Sequence, residues 1–372
     1  MSPARLVAVV ARGRPAFVDA LRRAWDDGDA VAPIDPRLPP PAAEALLDSL
    51  APEVVVDPGG DLHRRAGGRP VDEGDALVVA TSGTTGAPRG VVLGHQAVVA
   101  AARTTSAALG VDPDADRWLA CLPLAHVGGL SVVTRAVLTD TPLRLLERFD
   151  PAAVEAEARQ GATLVALVAT ALARVDVSGF RRVLVGGSAA PRSRPANVVA
   201  TYGLTETGGG VVYDGRPLPG VEVREVGGEL QIRGPMVLRC YRDGTDPRDR
   251  AGWLPTGDAG SVAADGTVQV RGRLAEVIVT GGEKVWPAPV EEVLGRHPGV
   301  AEVGVAGRPD PTWGQRVVAV VVPADAASPP ELAELRSWVK QSLPAYAAPR
   351  QLVLVARLER TASGKLRRDL LG

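Results

Sequence analysis

Cysteine, lysine and long apolar runs are all scarce in this chain, and each scarcity removes a class of protein. Only two cysteines, Cys121 and Cys240, occur in 372 residues, and they lie far apart. That excludes a disulfide framework and fits a reducing compartment. Neither has an activating partner close by in sequence, so both read as buried packing residues. The first apolar run, Leu6 to Val10, ends before Arg12 and Arg14 and is too short for the core of a signal peptide. No later stretch reaches a membrane-spanning length, so no membrane insertion is expected and the cytoplasm is the expected location. The formal charge of −1 gives no sign of a nucleic-acid partner. Lysine occurs only at Lys284, Lys340 and Lys365, and every other basic residue is arginine. A position that keeps lysine against such a background is a candidate for chemistry needing a compact ammonium.

What the chain does hold is organised around Ala76 to Leu93, ALVVATSGTTGAPRGVVL. The apolar run Ala76 to Ala80 has the length of a buried strand. It empties into Thr81, Ser82, Gly83, Thr84, Thr85 and Gly86, none larger than threonine. Such a loop can bring its backbone N–H groups and hydroxyls close to phosphate oxygens, and Arg89 adds a cation at its exit. A P-loop would need GxxxxGK[ST] opening a helix; here Arg89-Gly90 leads into the apolar run Val91 to Leu93, so that reading fails. Taken alone, the loop is equally well read as a glycine-rich turn.

Four further segments follow in order: Thr201 to Thr207 (TYGLTET), Gly252 to Asp258 (GWLPTGD), Arg271 to Arg273 running on to Gly281-Gly282-Glu283, and Thr361 to Lys365 (TASGK). Together with SGTTGAPRG, the series resembles the adenylate-forming superfamily of acyl-CoA synthetases, firefly luciferases and peptide-synthetase adenylation domains. The resemblance runs from Ala76 nearly to the end of the chain. It implies that a carboxylate attacks the α-phosphorus of ATP to give an acyl-adenylate and pyrophosphate, after which the CoA thiol displaces AMP. Small-molecule carboxylic acid, ATP and CoA are then the partners and Mg²⁺ the metal.

The resemblance also assigns roles. Thr81 to Gly86 and Arg89, which stands where lysine is more usual, would hold the β- and γ-phosphates. Gly186, Gly187 and Ser188 resemble the strip lying along adenine and the acyl group. Tyr202 would pack on adenine beside Gly203, Thr205 would touch the α-phosphate, and Glu206 would bind Mg²⁺. Asp258 would accept both ribose hydroxyls with Arg273 as its companion, although either could be a surface ion-pair member if isolated. Lys365 is the implied catalytic cation, and Gly281, Gly282 and Glu283 form the strand implied in the CoA step. Because Lys365 and that strand share one domain yet serve different half-reactions, the domain is expected to swing about Leu274-Ala275, where alanine replaces a more usual aspartate or lysine.

The segment Leu122 to Val137, LPLAHVGGLSVVTRAV, looks most like o-succinylbenzoate:CoA ligases of menaquinone synthesis. That likeness makes His126, Gly128 and Gly129 acyl-pocket residues, with His126 a gate and a catalytic candidate. The second carboxylate of such a substrate needs a cation, for which Arg135 is the candidate; an exposed helix arginine is its other reading. Other aryl or fatty acyl-CoA ligases, a carrier-protein-loading adenylation domain and a catalytically impaired nucleotide-binding relative share these motifs.

The fold expectation is α/β. A βαβαβ rhythm runs over Leu6 to Asp57, and a helix from His95 is stopped by Gly110. Asp150-Pro151 opens another helix, and Thr163 to Val168 and Arg182 to Val185 read as strands. Short alternating runs after Val211 suggest a small β-rich subdomain. Residues 1–273 would thus form a large domain of mostly parallel, helix-flanked sheet, trimmed at its front relative to the family, and 274–372 a small mobile α/β domain. In the latter, Ser328 is the expected cap of a helix reaching Leu343.

Overall fold

A computed structural model describes residues 3–57, 60–81, 89–187, 193–360 and 366–371, the side chain of Asp369 excepted. The chain divides into two compact units, one of residues 1–223, 231–255 and 264–268, the other of 224–230, 256–263 and 269–372.

In the first unit, β1 (Leu6–Val10), α1 (Pro15–Asp26), β2 (Ala30–Ile34), α2 (Pro40–Leu50) and β3 (Val54–Val56) realise the expected rhythm, with β1 parallel to both β2 and β3. Pro40 and Pro41 occupy the first turn of α2, where a missing N–H costs no helical bond. β4 (Leu62–Arg64) is antiparallel to β3 at the sheet's edge, β5 (Asp75–Ala80) is parallel to β2, and β6 (Gly90–Gly94) returns antiparallel to β5. Leu6, Ala8, Ala30, Ala32, Leu50 and Val78 form a core against this sheet, all buried.

The next elements are α3 (His95–Leu109), β7 (Trp118–Ala120), α4 (Val127–Leu138), β8 (Leu143–Leu145), α5 (Pro151–Arg159), β9 (Leu164–Val168), α6 (Ala169–Leu172), β10 (Arg182–Gly186), β11 (Val198–Leu204), β12 (Gly209–Tyr213) and β13 (Arg216–Pro217). Their strands make a second sheet in the order β13-β12-β11-β10-β9-β7-β8. Gly110 ends α3 at φ 57°, a left-handed cap favourable to glycine. Asp150 Oδ1 accepts from Ala153 N at 2.9 Å, and Pro151 starts α5. Leu119, Val154, Val165, Leu167, Val183 and Val185 are the core beneath. Cys121 is buried there, and burial pushes its thiol up to about 12, as expected of an inert packing residue.

β14 (Glu222–Val226) and β15 (Glu229–Arg233) join β17 (Leu254–Val262) and β18 (Val268–Arg273) in a four-stranded sheet, whereas the short β16 (Cys240–Tyr241) pairs with β6 in the first sheet. After a turn of 3₁₀ helix at Leu274–Glu276 come β19 (Ile278–Thr280), β20 (Glu283–Val285), α7 (Pro287–Leu294), β21 (Val300–Asp310), β22 (Gly314–Pro323), α8 (Leu332–Lys340) and β23 (Gln351–Leu354). The two α-helices cover a sheet whose longest hairpin is β21–β22.

Ser328 does not cap α8. Pro329 and Pro330 push their preceding residues out of the helical region, so the helix starts past them with Glu331 at its N-cap and ends at Lys340. Gly281 and Gly282 are likewise a turn and not strand. Both have positive φ, 59° and 84°, the backbone that a two-residue hairpin between β19 and β20 requires. No described helix is long and apolar enough to cross a membrane.

The second sheet is tied at its base by Asp116, 4% exposed. Its carboxylate takes Arg181 Nε at 2.8 Å, Arg181 Nη2 at 2.5 Å and the Thr163 hydroxyl at 2.7 Å. Burial alone would raise its pKa, but the Arg181 bonds lead the opposing contributions and the net direction is down. A depressed carboxyl stabilises the fold above the unfolded value of about 3.9 and loses that contribution as pH falls through the folded value. Asp116→Asn is therefore expected to cost about 2 kcal/mol in urea unfolding at neutral pH, and the difference from wild type should shrink below about pH 4.

Candidate active site

The β5–β6 hairpin positions the first part of the site. Antiparallel pairing sets Ala80 opposite Gly90, and Thr81 N donates to Arg89 O at 2.9 Å while Arg89 N donates to Thr81 Oγ1 at 3.3 Å. The β5–β6 pair is thus held closed at Thr81 and Arg89. Ser82, Gly83, Thr84, Thr85 and Gly86 lie outside the described residues, as do Ser188 and Lys365.

Glu206 sits on a 3₁₀ turn, Thr205–Thr207, directly after β11. The turn is fixed by Thr207, fully buried, whose hydroxyl donates to Gly209 O at 2.7 Å and accepts from Leu204 N at 2.9 Å. Gly203 is required by close approach: a Cβ there would lie 1.9 Å from Gly209 O. Gly186 is confined in the same way, since a Cβ on it would come 2.5 Å from Thr201 Oγ1, and Gly187 has φ 81° at the end of β10. Tyr202 lies on β11 between Thr201 and Gly203.

One residue that sequence reading missed connects these parts. Tyr241 on β16 donates its phenol to Glu206 Oε1 at 3.0 Å, and the Arg89 guanidinium carbon lies 3.7 Å from its ring centroid. Arg89 also donates to Asp243 Oδ2 at 3.1 Å. Burial, then the neighbouring Glu206 charge, pushes the phenol up to about 12, so at neutral pH it keeps its proton and donates a hydrogen bond. The available signal was Arg89 itself, since a planar guanidinium in a lysine position favours an aromatic face.

α4 supplies the acyl-side candidates. His126 is its N-cap residue, with Nε2 3.7 Å from Asp35 Oδ2. Gly129 packs on the turn after β7, where a Cβ would come 2.5 Å from both Leu122 O and Pro123 O; Gly128 is exposed. Arg135 is not an exposed helix arginine. It is 5% exposed and lines a cavity of about 20 Å³, room for one water, with Leu130, Ser131, Met236 and Gly208 to Gly210. His126, Gly128, Gly129 and Gly186 are not among that cavity's lining residues. The Arg135 guanidinium donates to Ser131 Oγ at 2.6 Å and lies 4.9 Å from the Trp118 ring centroid. Its Nη1 has no hydrogen-bond partner and no carboxylate pairs with it among the described residues. Burial holds its pKa below the ordinary arginine value.

In the second unit, the two expected ribose residues meet. Asp258 on β17 is buried, with Oδ1 3.2 Å from Arg273 Nε, and Arg273 Nη1 donates to Thr256 O at 2.8 Å. The Thr256 hydroxyl accepts from Asp258 N and donates to Leu230 O, at 3.0 and 2.6 Å. Gly281, Gly282 and Glu283 form the β19–β20 corner, whose Gly281 N donates to Trp313 O at 2.8 Å. Leu274 and Ala275 lie in the 3₁₀ turn, whose third residue, Glu276, pairs through Oε2 with Arg368 Nε at 2.9 Å. Arg368 also takes Glu291 in two bonds, of 2.5 and 2.8 Å, and Val305 O at 3.0 Å. Arg360 bridges to Leu366 across the undescribed segment. No group of three or more metal-ligating side chains occurs among the described residues.

Comparison with known proteins places the chain in a family. The AMP-binding enzyme model matches residues 1–242, and the AMP-binding enzyme C-terminal domain matches residues 289–365. A probable 2-succinylbenzoate–CoA ligase of Mycobacterium tuberculosis is 37% identical over 361 residues, 89% of this chain and 93% of that protein. The 2-succinylbenzoate–CoA ligase of Bacillus cytotoxicus is 35% identical over 335 residues, covering 79% of this chain and 69% of its own. Among solved structures, the o-succinylbenzoate CoA synthetase of Bacillus subtilis with its acyl-adenylate intermediate superposes with a TM-score of 0.87 at 27% identity, over 99% of this chain and 88% of that one. The same enzyme with ATP and magnesium ion also gives 0.87 at 27% identity, over 99% and 89%. The chain belongs to the AMP-binding enzyme family, the adenylate-forming enzymes that its motifs resembled.

Proposed function

We propose that this chain is an ATP-dependent carboxylate–CoA ligase whose acid is o-succinylbenzoate, the reaction named for its relatives in M. tuberculosis and Bacillus. The carboxylate oxygen attacks the α-phosphorus of ATP and pyrophosphate leaves; the CoA sulfur then attacks the acyl carbon and AMP leaves. A carboxylate is a poor acylating agent, and conversion to a mixed anhydride gives it a good leaving group. The first half is served mainly by positioning and charge neutralisation.

Arg89 and the loop from Thr81 serve the β- and γ-phosphates, Tyr202 the adenine, Thr205 the α-phosphate, and Asp258 with Arg273 the ribose. Glu206 fits Mg²⁺, which takes one or two carboxylates and fills its other positions with nucleotide oxygens and water. Bound there, the ion would neutralise phosphate charge. Lys365 serves the first half, and Gly281, Gly282 and Glu283 the second. The functional boundary is the turn at Leu274 and Ala275, between 1–273 and 274–372.

The observation that supports this acid is Arg135. A buried guanidinium without a carboxylate is costly to fold, and it becomes favourable when a ligand brings the missing anion, for which the one-water cavity beside Arg135 has to widen. O-succinylbenzoate has a carboxylate to spare after adenylation; benzoate and simple fatty acids have none. In a pyrophosphate-release assay, o-succinylbenzoate should outpace benzoate and medium-chain fatty acids, and activity confined to fatty acids would overturn the assignment. Arg135→Met should lose about 3 kcal/mol, more than a hundredfold, in kcat/KM for o-succinylbenzoate, with a melting temperature no lower than wild type because a buried charge is removed.

Lys365→Ala should abolish adenylation while supplied acyl-adenylate still yields thioester; equal loss of both halves would contradict the division of labour between Lys365 and the Gly281 corner.

A further inference from the structure

Glu206 and Arg89 stand on different elements, yet one side chain touches both. β16 pairs with β6 so that Tyr241 lies opposite Val91, two residues beyond Arg89. The backbone reinforces that register: Arg239 N donates to Val92 O at 2.9 Å and Arg242 N to Gly90 O at 2.7 Å. From the same segment, Leu238 N donates to Glu206 O at 2.7 Å. Tyr241 thus meets Glu206 where the backbones are already tied, with its phenol on the carboxylate and its ring face under the guanidinium. Asp243, fixed by Thr245 N at 2.9 Å, holds the same guanidinium by one Nη.

A glutamate has three side-chain torsions, and on a half-buried turn it samples several positions unless a donor fixes it. An arginine at a loop exit has more freedom still. A single phenol removes much of both. The geometry points to Tyr241 as a positioning residue for magnesium–ATP, setting the Glu206 carboxylate by its O–H and the Arg89 guanidinium by its ring, so that the metal-binding and phosphate-binding groups form one preorganised unit. This rests on the proposed roles of Glu206 and Arg89. Tyr241 transfers no proton and forms no bond to substrate.

The two contacts separate by substitution: Tyr241→Phe keeps the ring and removes the phenol, whereas Tyr241→Leu removes both. With magnesium–ATP and AMP titrated calorimetrically in the absence of acid, Tyr241→Phe should weaken magnesium–ATP about tenfold and leave AMP, which lacks the β- and γ-phosphates, within about twofold. Tyr241→Leu should weaken magnesium–ATP further and inorganic pyrophosphate as well. In turnover, Tyr241→Phe should raise KM for magnesium–ATP with kcat within about threefold. Equal weakening of magnesium–ATP and AMP, or no change in either, overturns the proposal, since a merely structural tyrosine would not distinguish the two nucleotides. A wild-type protein that binds magnesium–ATP but activates no o-succinylbenzoate sinks the substrate assignment alone, and the Tyr241 comparison still decides its own question.

Discussion

A buried carboxylate must find a cation, and in the first unit that requirement falls on Asp75. It is 1% exposed at the start of β5, and Arg239 reaches it with two bonds of 2.8 Å from 164 residues later in the chain. Removing Arg239 would leave the buried Asp75 carboxylate without its cation, whereas Arg239 is partly exposed and also pairs with Asp72 at 2.7 Å, so it is the carboxylate that specifies where the Arg239 segment docks. Docking fixes the rest. β16 adds to the β6 edge, and the Arg242 guanidinium donates to the carbonyls of Leu50, Ala51 and Pro70. Tyr241, between these two arginines, is thereby delivered to Arg89 and Glu206. The site's precision is inherited from an ion pair that takes no part in its chemistry.

The second unit uses the same device with a different purpose. Arg368 sits three residues beyond Lys365 and is held by Glu291, Glu276 and Val305 O. Glu276 is the last residue of the 3₁₀ turn that begins at Leu274. A carboxylate thus stands one residue after Ala275, and Glu276 commits its charge to Arg368. Bidentate pairing of Arg368 with Glu291 gives this anchor a defined geometry as well as energy.

Much of this architecture was legible because local chemistry and tertiary structure agreed. Gly110 and the Asp150-Pro151 pair end and begin their helices where side-chain preference alone would put them, and Asp258 meets Arg273 as the motif implied. Legibility failed where a local rule had competitors. Ser328 is a good cap by type, but two following prolines overrule it. Leu254–Val262, to which no secondary structure was assigned, is a nine-residue strand despite Pro255 and two glycines, because cross-strand pairing and not propensity decides a half-buried sheet. Tyr241 was missed for a third reason: its partners Glu206 and Arg89 are 35 and 152 residues away, and Arg89 at a lysine position signals an aromatic partner without saying which one.

Arginine-rich composition gives the remaining clue to specificity. A guanidinium keeps its proton even when burial lowers its pKa, as at Arg135, whereas an ammonium in the same cavity could shed its charge. Arg135 therefore stays cationic beside Ser131 and Trp118, with Nη1 left without a partner among the described residues. On the proposed reading this is how selection against smaller acids works. An apolar pocket discriminates a missing methylene by only about 1–3 kcal/mol, but a buried charge left unpaired by the wrong ligand costs about 3–5 kcal/mol. The same open valence that burdens the empty protein rejects an acid lacking the second carboxylate. Adenylation itself demands only one carboxylate, so the second can be recognised without interfering with the first.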